Sequence, residues 1–167
     1  MNSVATFLKF VFIIWVLLSS KAISNTLNKI EIIGNDRISD ETIKLFIKIN
    51  KDDEINDVKL NNIINDLYET NFFKNISVNF KDQILVINVV ENPIIENIYY
   101  NGIKSQRILE LIKQNSFIKS RSSFNEVLLK KEKLKIENIL KNLSYFNSSL
   151  EILVEEQSKN LVSVTYN

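Results

Sequence analysis

The feature that most constrains this chain is an order of hydrophobic periodicities that occurs twice along it. Past residue 25, Lys29-Ile30-Glu31-Ile32 alternates as a strand does, with Ile30 and Ile32 toward a core, and Gly34-Asn35 signals a turn. A helix is predicted next: Ser39 or Asp40 offers an N-cap oxygen, Asp40 and Glu41 suit the positive end of the dipole, and Ile43, Phe46 and Ile47 share one face. A second helix carries Leu60, Ile63, Ile64 and Leu67 at i, i+3, i+4 and i+7, with Asp57 available as its cap. The period then falls to two. Ile76, Val78 and Phe80 alternate with Ser77 and Asn79, a turn falls near Lys81-Asp82-Gln83, and Ile84 to Val90 is an almost continuous apolar run that reads as a strand covered on more sides.

The same order returns after Pro93. Ile98-Tyr99-Tyr100 precedes Asn101-Gly102, a short helix starts from a Ser105 cap with Ile108, Leu111 and Ile112 on one face, and Ser123-x-x-Glu126 reads as a capping box. The longer helix it opens carries Ile136, Ile139, Leu140 and Leu143, and two strands follow, Leu150 to Val154 and Leu161 to Tyr166. An aromatic pair ends each helical half, Phe72-Phe73 and Tyr145-Phe146; Phe72-Phe73 is expected to anchor a core. The second copy is longer, and the surplus is expected between its helices, around Phe117 to Ser123.

These patterns predict an α+β chain of two tandem β-α-α-β-β modules, each a three-stranded mixed sheet covered on one face by a helix pair. Strands one and three are separated by two helices and a hairpin strand. Strand three therefore sits in the middle, parallel to strand one and antiparallel to strand two. Strand two is left on an edge, where unpaired N–H and C=O groups can accept another extended chain. In the first module this edge is Ile76, Ser77, Val78, Asn79 and Phe80, with Ile76, Val78 and Phe80 facing inward. The predicted boundaries are 1–24 for a signal segment, 25–92 for the first module and 93–167 for the second, with Pro93 ending a strand and stiffening the junction.

The signal segment rests on the apolar run from Phe7 to Leu18, broken by Lys9 and followed by Ala22 and Ser24 at positions suited to cleavage after Ser24. Its longest uninterrupted stretch, Phe10 to Leu18, falls well short of the roughly 20 residues of a membrane span. A soluble mature protein starting near Asn25 is expected, with an uncleaved signal anchor as the alternative; both export the rest of the chain.

Composition removes several function classes. With no Cys and no His, the chain lacks thiol nucleophiles, disulfides, Cys/His zinc sites and the commonest general base. Two Gly and one Pro leave no glycine-rich phosphate cradle, and the lysines alternate with acidic residues rather than forming a basic stripe, so neither a nucleotide nor a nucleic acid is an expected partner. Asp52-Asp53-Glu54 reads as a solvated loop, because no further ligands are spaced around it. No enzyme, cofactor or metal is expected.

Three strings carry a resemblance. Ile30-Glu31-Ile32-x-Gly34-Asn35-x-Arg37-Ile38-Ser39-x-Glu41-Thr42-Ile43, then Leu67-Tyr68-x-Thr70-x-Phe72-Phe73-x-Asn75-Ile76, then Val89-Val90-Glu91-Asn92-Pro93-Ile94-Ile95 closely resemble the first POTRA domain of BamA-type outer-membrane protein assembly factors. Residues 98 to 167 are similar to a second such domain by order and period. The resemblance implies a periplasmic protein at the outer membrane of a Gram-negative-type bacterium. It also implies β-augmentation by unfolded outer-membrane protein chains, with assembly-complex lipoproteins or a β-barrel as further partners. The C-terminal barrel of the family is missing from this sequence, so a truncated product and a stand-alone POTRA pair are both open. The alternative reading is a membrane-anchored POTRA interaction protein of a division or secretion complex.

Overall fold

The computed structural model of this chain describes residues 26–50 and 53–167; the predicted signal segment, its cleavage site and Asp52 lie outside them. The first unit runs β1 (Lys29–Ile33), α1 (Asp40–Ile47), α2 (Asp57–Glu69), β2 (Phe73–Lys81) and β3 (Ile84–Glu91). The second runs β4 (Ile94–Tyr100), α3 (Gln106–Asn115), α4 (Glu126–Asn142), β5 (Ile152–Ser158) and β6 (Leu161–Tyr166). The sheets have the orders β1-β3-β2 and β4-β6-β5, and in each the central strand pairs parallel with the first and antiparallel with the second. This is the predicted α+β architecture of two mixed three-stranded sheets.

Local chemistry accounts for the element ends. Ser39 caps α1 by accepting from the Thr42 N–H, and Ser105 caps α3 through the Ile108 N–H. Two caps differ from expectation. Asn56, not Asp57, accepts from the Lys59 N–H at the start of α2. Asn125 accepts from the Val127 and Leu128 N–H groups at the start of α4, so Ser123-x-x-Glu126 is no capping box. Ser123 is held instead in an isolated bridge to Ile94. At both sites the residue just upstream of the helix, in extended backbone at φ −130° and −125°, is Asn, and that position decides which side chain caps. Gly34 is required where β1 turns toward α1: its φ is +90°, and a Cβ there would lie 2.2 Å from the Val89 carbonyl oxygen.

Each unit packs its own core. Leu27, Ile43, Ile55, Ile63, Leu67, Phe73, Leu85 and Ile87 are buried in the first; Ile95, Ile112, Ile136, Val164 and Tyr166 are among those buried in the second. Phe73 anchors the first core as expected, with Phe72 packed against it. Three expectations are corrected. The apolar run of β3 is not covered on more sides: Leu85, Ile87 and Val89 are buried but Val90 is 50% exposed, because the helices cover one face of the sheet. The pair Tyr145-Phe146 does not repeat the Phe72-Phe73 anchor, since Phe146 is 74% exposed on the α4–β5 connection. The surplus of the second unit lies in its helices and in the connection after them: α4 has 17 residues against 13 in α2, α3 has 10 against 8 in α1, and residues 143–151 join α4 to β5 where only 70–72 join α2 to β2.

Candidate functional site

Backbone directions on the edge strands follow from register. The β2–β3 hairpin turns through Asp82 and Gln83, both at positive φ, between the paired residues Lys81 and Ile84. A two-residue turn of this kind closes on a hydrogen-bonded pair, and hydrogen-bonded and open pairs then alternate up the ladder. Ser77 and Asn79, opposite Asn88 and Val86, therefore point their N–H groups at β3. The outward N–H and C=O groups belong to Ile76, Val78 and Phe80, whose side chains are half-buried beneath the helices. On β5 the parity is fixed from the other end, where Glu151 and Asn167 exchange backbone hydrogen bonds of 3.1 and 2.9 Å. Ile152, Val154 and Glu156 thus face outward, and Leu153 and Glu155 bond to β6.

The predicted residues Ile76, Ser77, Val78, Asn79 and Phe80 do lie together on an edge strand. Sequence reasoning missed what flanks the second edge. Between β5 and α4 runs a groove of about 450 Å³ lined by Phe124, Glu126, Leu129, Lys130, Lys133, Ile152 and Val154. It adjoins a cleft of about 460 Å³ between the units, where Tyr68, Phe73 and Lys74 of the first face Phe124, Val127, Val154 and Glu156 of the second. Phe124, Glu126 and Val154 line both, so the groove and the cleft are continuous.

The strings that carried the resemblance meet at the junction and are structural there. The Glu91 carboxylate accepts from the backbone N–H groups of Asp36, Arg37 and Ile38 at 3.2, 2.9 and 2.8 Å and from Arg37 Nε at 3.2 Å. Arg37 also donates to the Asn92 carbonyl at 3.3 Å and to Ser123 of the second unit at 3.4 Å. Asn92 donates to the Asn71 carbonyl at 2.9 Å, while Asn125 donates to the Asn71 side chain at 2.8 Å. The GN-x-R-I-S and V-x-E-N-P segments therefore lock a loop to the end of β3 and brace it against the next unit.

A buried carboxylate was also not foreseen. Glu132 is fully buried on α4, where it accepts from Ser116 Oγ at 2.8 Å, the Phe117 and Ile118 N–H groups at 2.6 and 2.9 Å, and the Tyr166 hydroxyl. Burial first, and then the bond to this carboxylate, push the Tyr166 phenol well above its ordinary value; Tyr100, stacked on it, is raised by burial and by Glu132. In the acidic loop, the Lys59 ammonium at 2.6 Å and the Asn50 N–H hold the Asp53 carboxyl below its usual range. Among the described residues no group of acidic side chains is placed to hold a metal ion, and no helix is long and apolar enough to cross a membrane.

Residues 25–92 match the POTRA family, described as "Surface antigen variable number repeat". No curated protein matches the sequence. In fold the chain is similar to the N-terminal domain of Omp85 from the thermophilic cyanobacterium Thermosynechococcus elongatus, with a TM-score of 0.56 at 13% identity over 84% of this chain and 61% of that one. It is likewise similar to POTRA1-2 of the periplasmic domain of Omp85 from Anabaena, at a TM-score of 0.53 and 13% identity over 84% of this chain and 93% of that one. BamA POTRA3-5 from Haemophilus influenzae superposes with a TM-score of 0.50 at 13% identity, over 84% of this chain and 64% of that one. The chain thus spans less than two thirds of the first and third of these structures.

Proposed function

We propose, from the match of residues 25–92 to the POTRA family and the repeat of the same strand order in the second unit, that the chain is a periplasmic binding protein of outer-membrane protein assembly that holds unfolded clients by β-augmentation. The observation that carries the reading is the pair of edge strands whose outward backbone groups, on Ile76, Val78 and Phe80 and on Ile152, Val154 and Glu156, have no strand beside them among the described residues. A client strand laid there pairs main chain with main chain. Each hydrogen bond contributes about 0.5–1.5 kcal/mol net, so four or five, less the ordering cost, give weak and reversible binding suited to a transient holder. Recognition of this kind tolerates many client sequences, because side chains only modulate it. Assembly-complex lipoproteins or a β-barrel are further partners on the same reading.

The test is a set of barrel-strand peptides scrambled so that the apolar–polar alternation is kept. Affinities within about threefold of one another, a spread of under 1 kcal/mol, are expected. Binding that vanishes on scrambling points to side-chain recognition and ends the proposal.

A further inference from the structure

The two β-to-α turns carry glycine and asparagine in opposite order, Gly34-Asn35 in the first unit and Asn101-Gly102 in the second. The order matters for the chemistry of the asparagine amide. The backbone nitrogen that follows an Asn is held next to its side-chain carbonyl carbon and can close a five-membered imide on it, when that nitrogen is free of a hydrogen bond and its residue has little or no side chain in the way. Among the described residues Asn precedes Gly or Ser at Asn101-Gly102, Asn115-Ser116 and Asn147-Ser148. The Ser116 N–H donates to the Lys113 carbonyl at 3.4 Å and the Ser148 N–H to the Tyr145 carbonyl at 3.3 Å, which ties up both nitrogens. The Gly102 N–H donates to no group among the described residues. Gly102 is exposed at φ +68°, and no other part of the chain comes within 4 Å of where a Cβ would lie, so the ring has room to close. The first unit is tied where the second is free. Asn35 Nδ2 donates to the Ile38 carbonyl at 2.8 Å and to Asp40 Oδ1 at 2.9 Å, and the nitrogen that would attack it, on Asp36, donates to the Glu91 carboxylate at 3.2 Å.

We propose that Asn101 is a site of spontaneous covalent modification, converting through a cyclic imide to aspartate and isoaspartate, and that this ageing reaction falls first on the second unit. The Gly102 nitrogen gives its proton to water and bonds to Asn101 Cγ; the Cγ–Nδ2 bond breaks and the amide leaves as ammonia. Water then opens the imide. Cleavage of the new Cγ–N bond gives aspartate, whereas cleavage between the Asn101 main-chain carbonyl carbon and the Gly102 nitrogen gives isoaspartate, whose main chain runs through Cβ and Cγ. Nothing is oxidised or reduced. Either product puts a carboxylate in place of a neutral amide and lowers the formal net charge of +1 by one. Isoaspartate also lengthens the main chain between two anchors of the turn, the Asn101 N–H bonded to the Tyr166 carbonyl at 2.8 Å and the Ser105 cap of α3.

The test incubates the full chain in mildly alkaline buffer, folded and in parallel unfolded in urea, with peptide mapping by mass spectrometry at intervals. In the folded chain Asn101 is expected to convert about tenfold or more faster than any other asparagine, a barrier about 1.4 kcal/mol lower, and within about tenfold of its own rate in urea. Asn35 is expected to convert in urea alone. Asn101→Gln keeps the amide but needs a six-membered ring, and is expected to remove the acidic species that ion-exchange chromatography resolves from the aged chain. Asn101→Asp carries the charge without the longer main chain, so the second unit of the aged chain is expected to melt below that of this variant. Another asparagine converting first in the folded chain, an Asn101 that converts in urea but is spared when folded, or an acidic species that persists in Asn101→Gln overturns the site. Equal melting of the aged chain and Asn101→Asp overturns the isoaspartate product.

Discussion

In the first unit the space between helices and sheet is filled by Ile43, Ile63, Leu67 and Phe73, all apolar, and α2 lies on β2. In the second unit the corresponding space holds Glu132, satisfied by hydrogen bonds from the 116–118 loop and from Tyr166, and β5 stands beside an open groove. The strand orders are nonetheless the same. Topology here follows from the order of periodicities and the burial of one sheet face, while the way each core is filled decides how much space opens beside the edge strand.

That contrast can be broken most strongly at the two cores. Glu132→Ala leaves buried donors on Ser116, Phe117, Ile118 and Tyr166 without their acceptor and is expected to destabilise the second unit by about 3–5 kcal/mol. Leu67→Ala opens a cavity in the first unit at a cost of about 2–5 kcal/mol, and the second unit should hardly notice. Urea unfolding followed by residue-resolved exchange separates the two outcomes. Equal losses in both units for either variant show that they unfold as one domain.

The β-to-α turns offer a smaller contrast. Gly34→Ala combines a left-handed backbone with a collision against the Val89 carbonyl, roughly 3 kcal/mol, whereas Gly102, at φ +68° in open space, costs only about 1 kcal/mol for the same change. Thermal melts that rank these two variants equally contradict the close approach of the Gly34 turn to β3.

Alkali gives the mildest effect and acts on one unit. Tyr166 stays protonated when folded at pH values where the unfolded side chain, near 10, ionises. The unfolded state then binds fewer protons, so stability that is present below about pH 10 is lost as pH rises. The second unit is expected to melt first in alkali, and Tyr166→Phe to reduce that sensitivity, with Tyr100 supplying the remainder, while leaving the first unit as before. A first unit that melts earlier refutes the assignment.

Much of the fold was legible because alternation and the i, i+3, i+4, i+7 stripe report burial directly: Leu60, Ile63 and Leu67 place α2, and Ile76, Val78 and Phe80 place β2 with the correct side inward. The edge position of β2 followed from connectivity alone. Which edge N–H groups face out was not legible, because that parity depends on the turn at Asp82-Gln83. Glu132 was hidden in the run Lys130-Lys131-Glu132-Lys133, which reads as a solvated helix face until the 116–118 loop folds over it. The groove beside β5 depends on how far α4 stands from the sheet, a tertiary distance that no periodicity encodes. Asn56 and Asn125 were passed over as caps because Asp57 and Ser123 lay within one or two residues and are equally good cap formers.

The central claim is that clients pair with exposed backbone, and amide hydrogen exchange with and without a bound barrel-strand peptide tests it most directly. The account predicts that the N–H groups of Ile152, Val154 and Glu156 and of Ile76, Val78 and Phe80 slow on binding, while Leu153 and Glu155, already bonded to β6, change little. Saturating peptide that leaves all six outward amides exchanging at their free rates contradicts it.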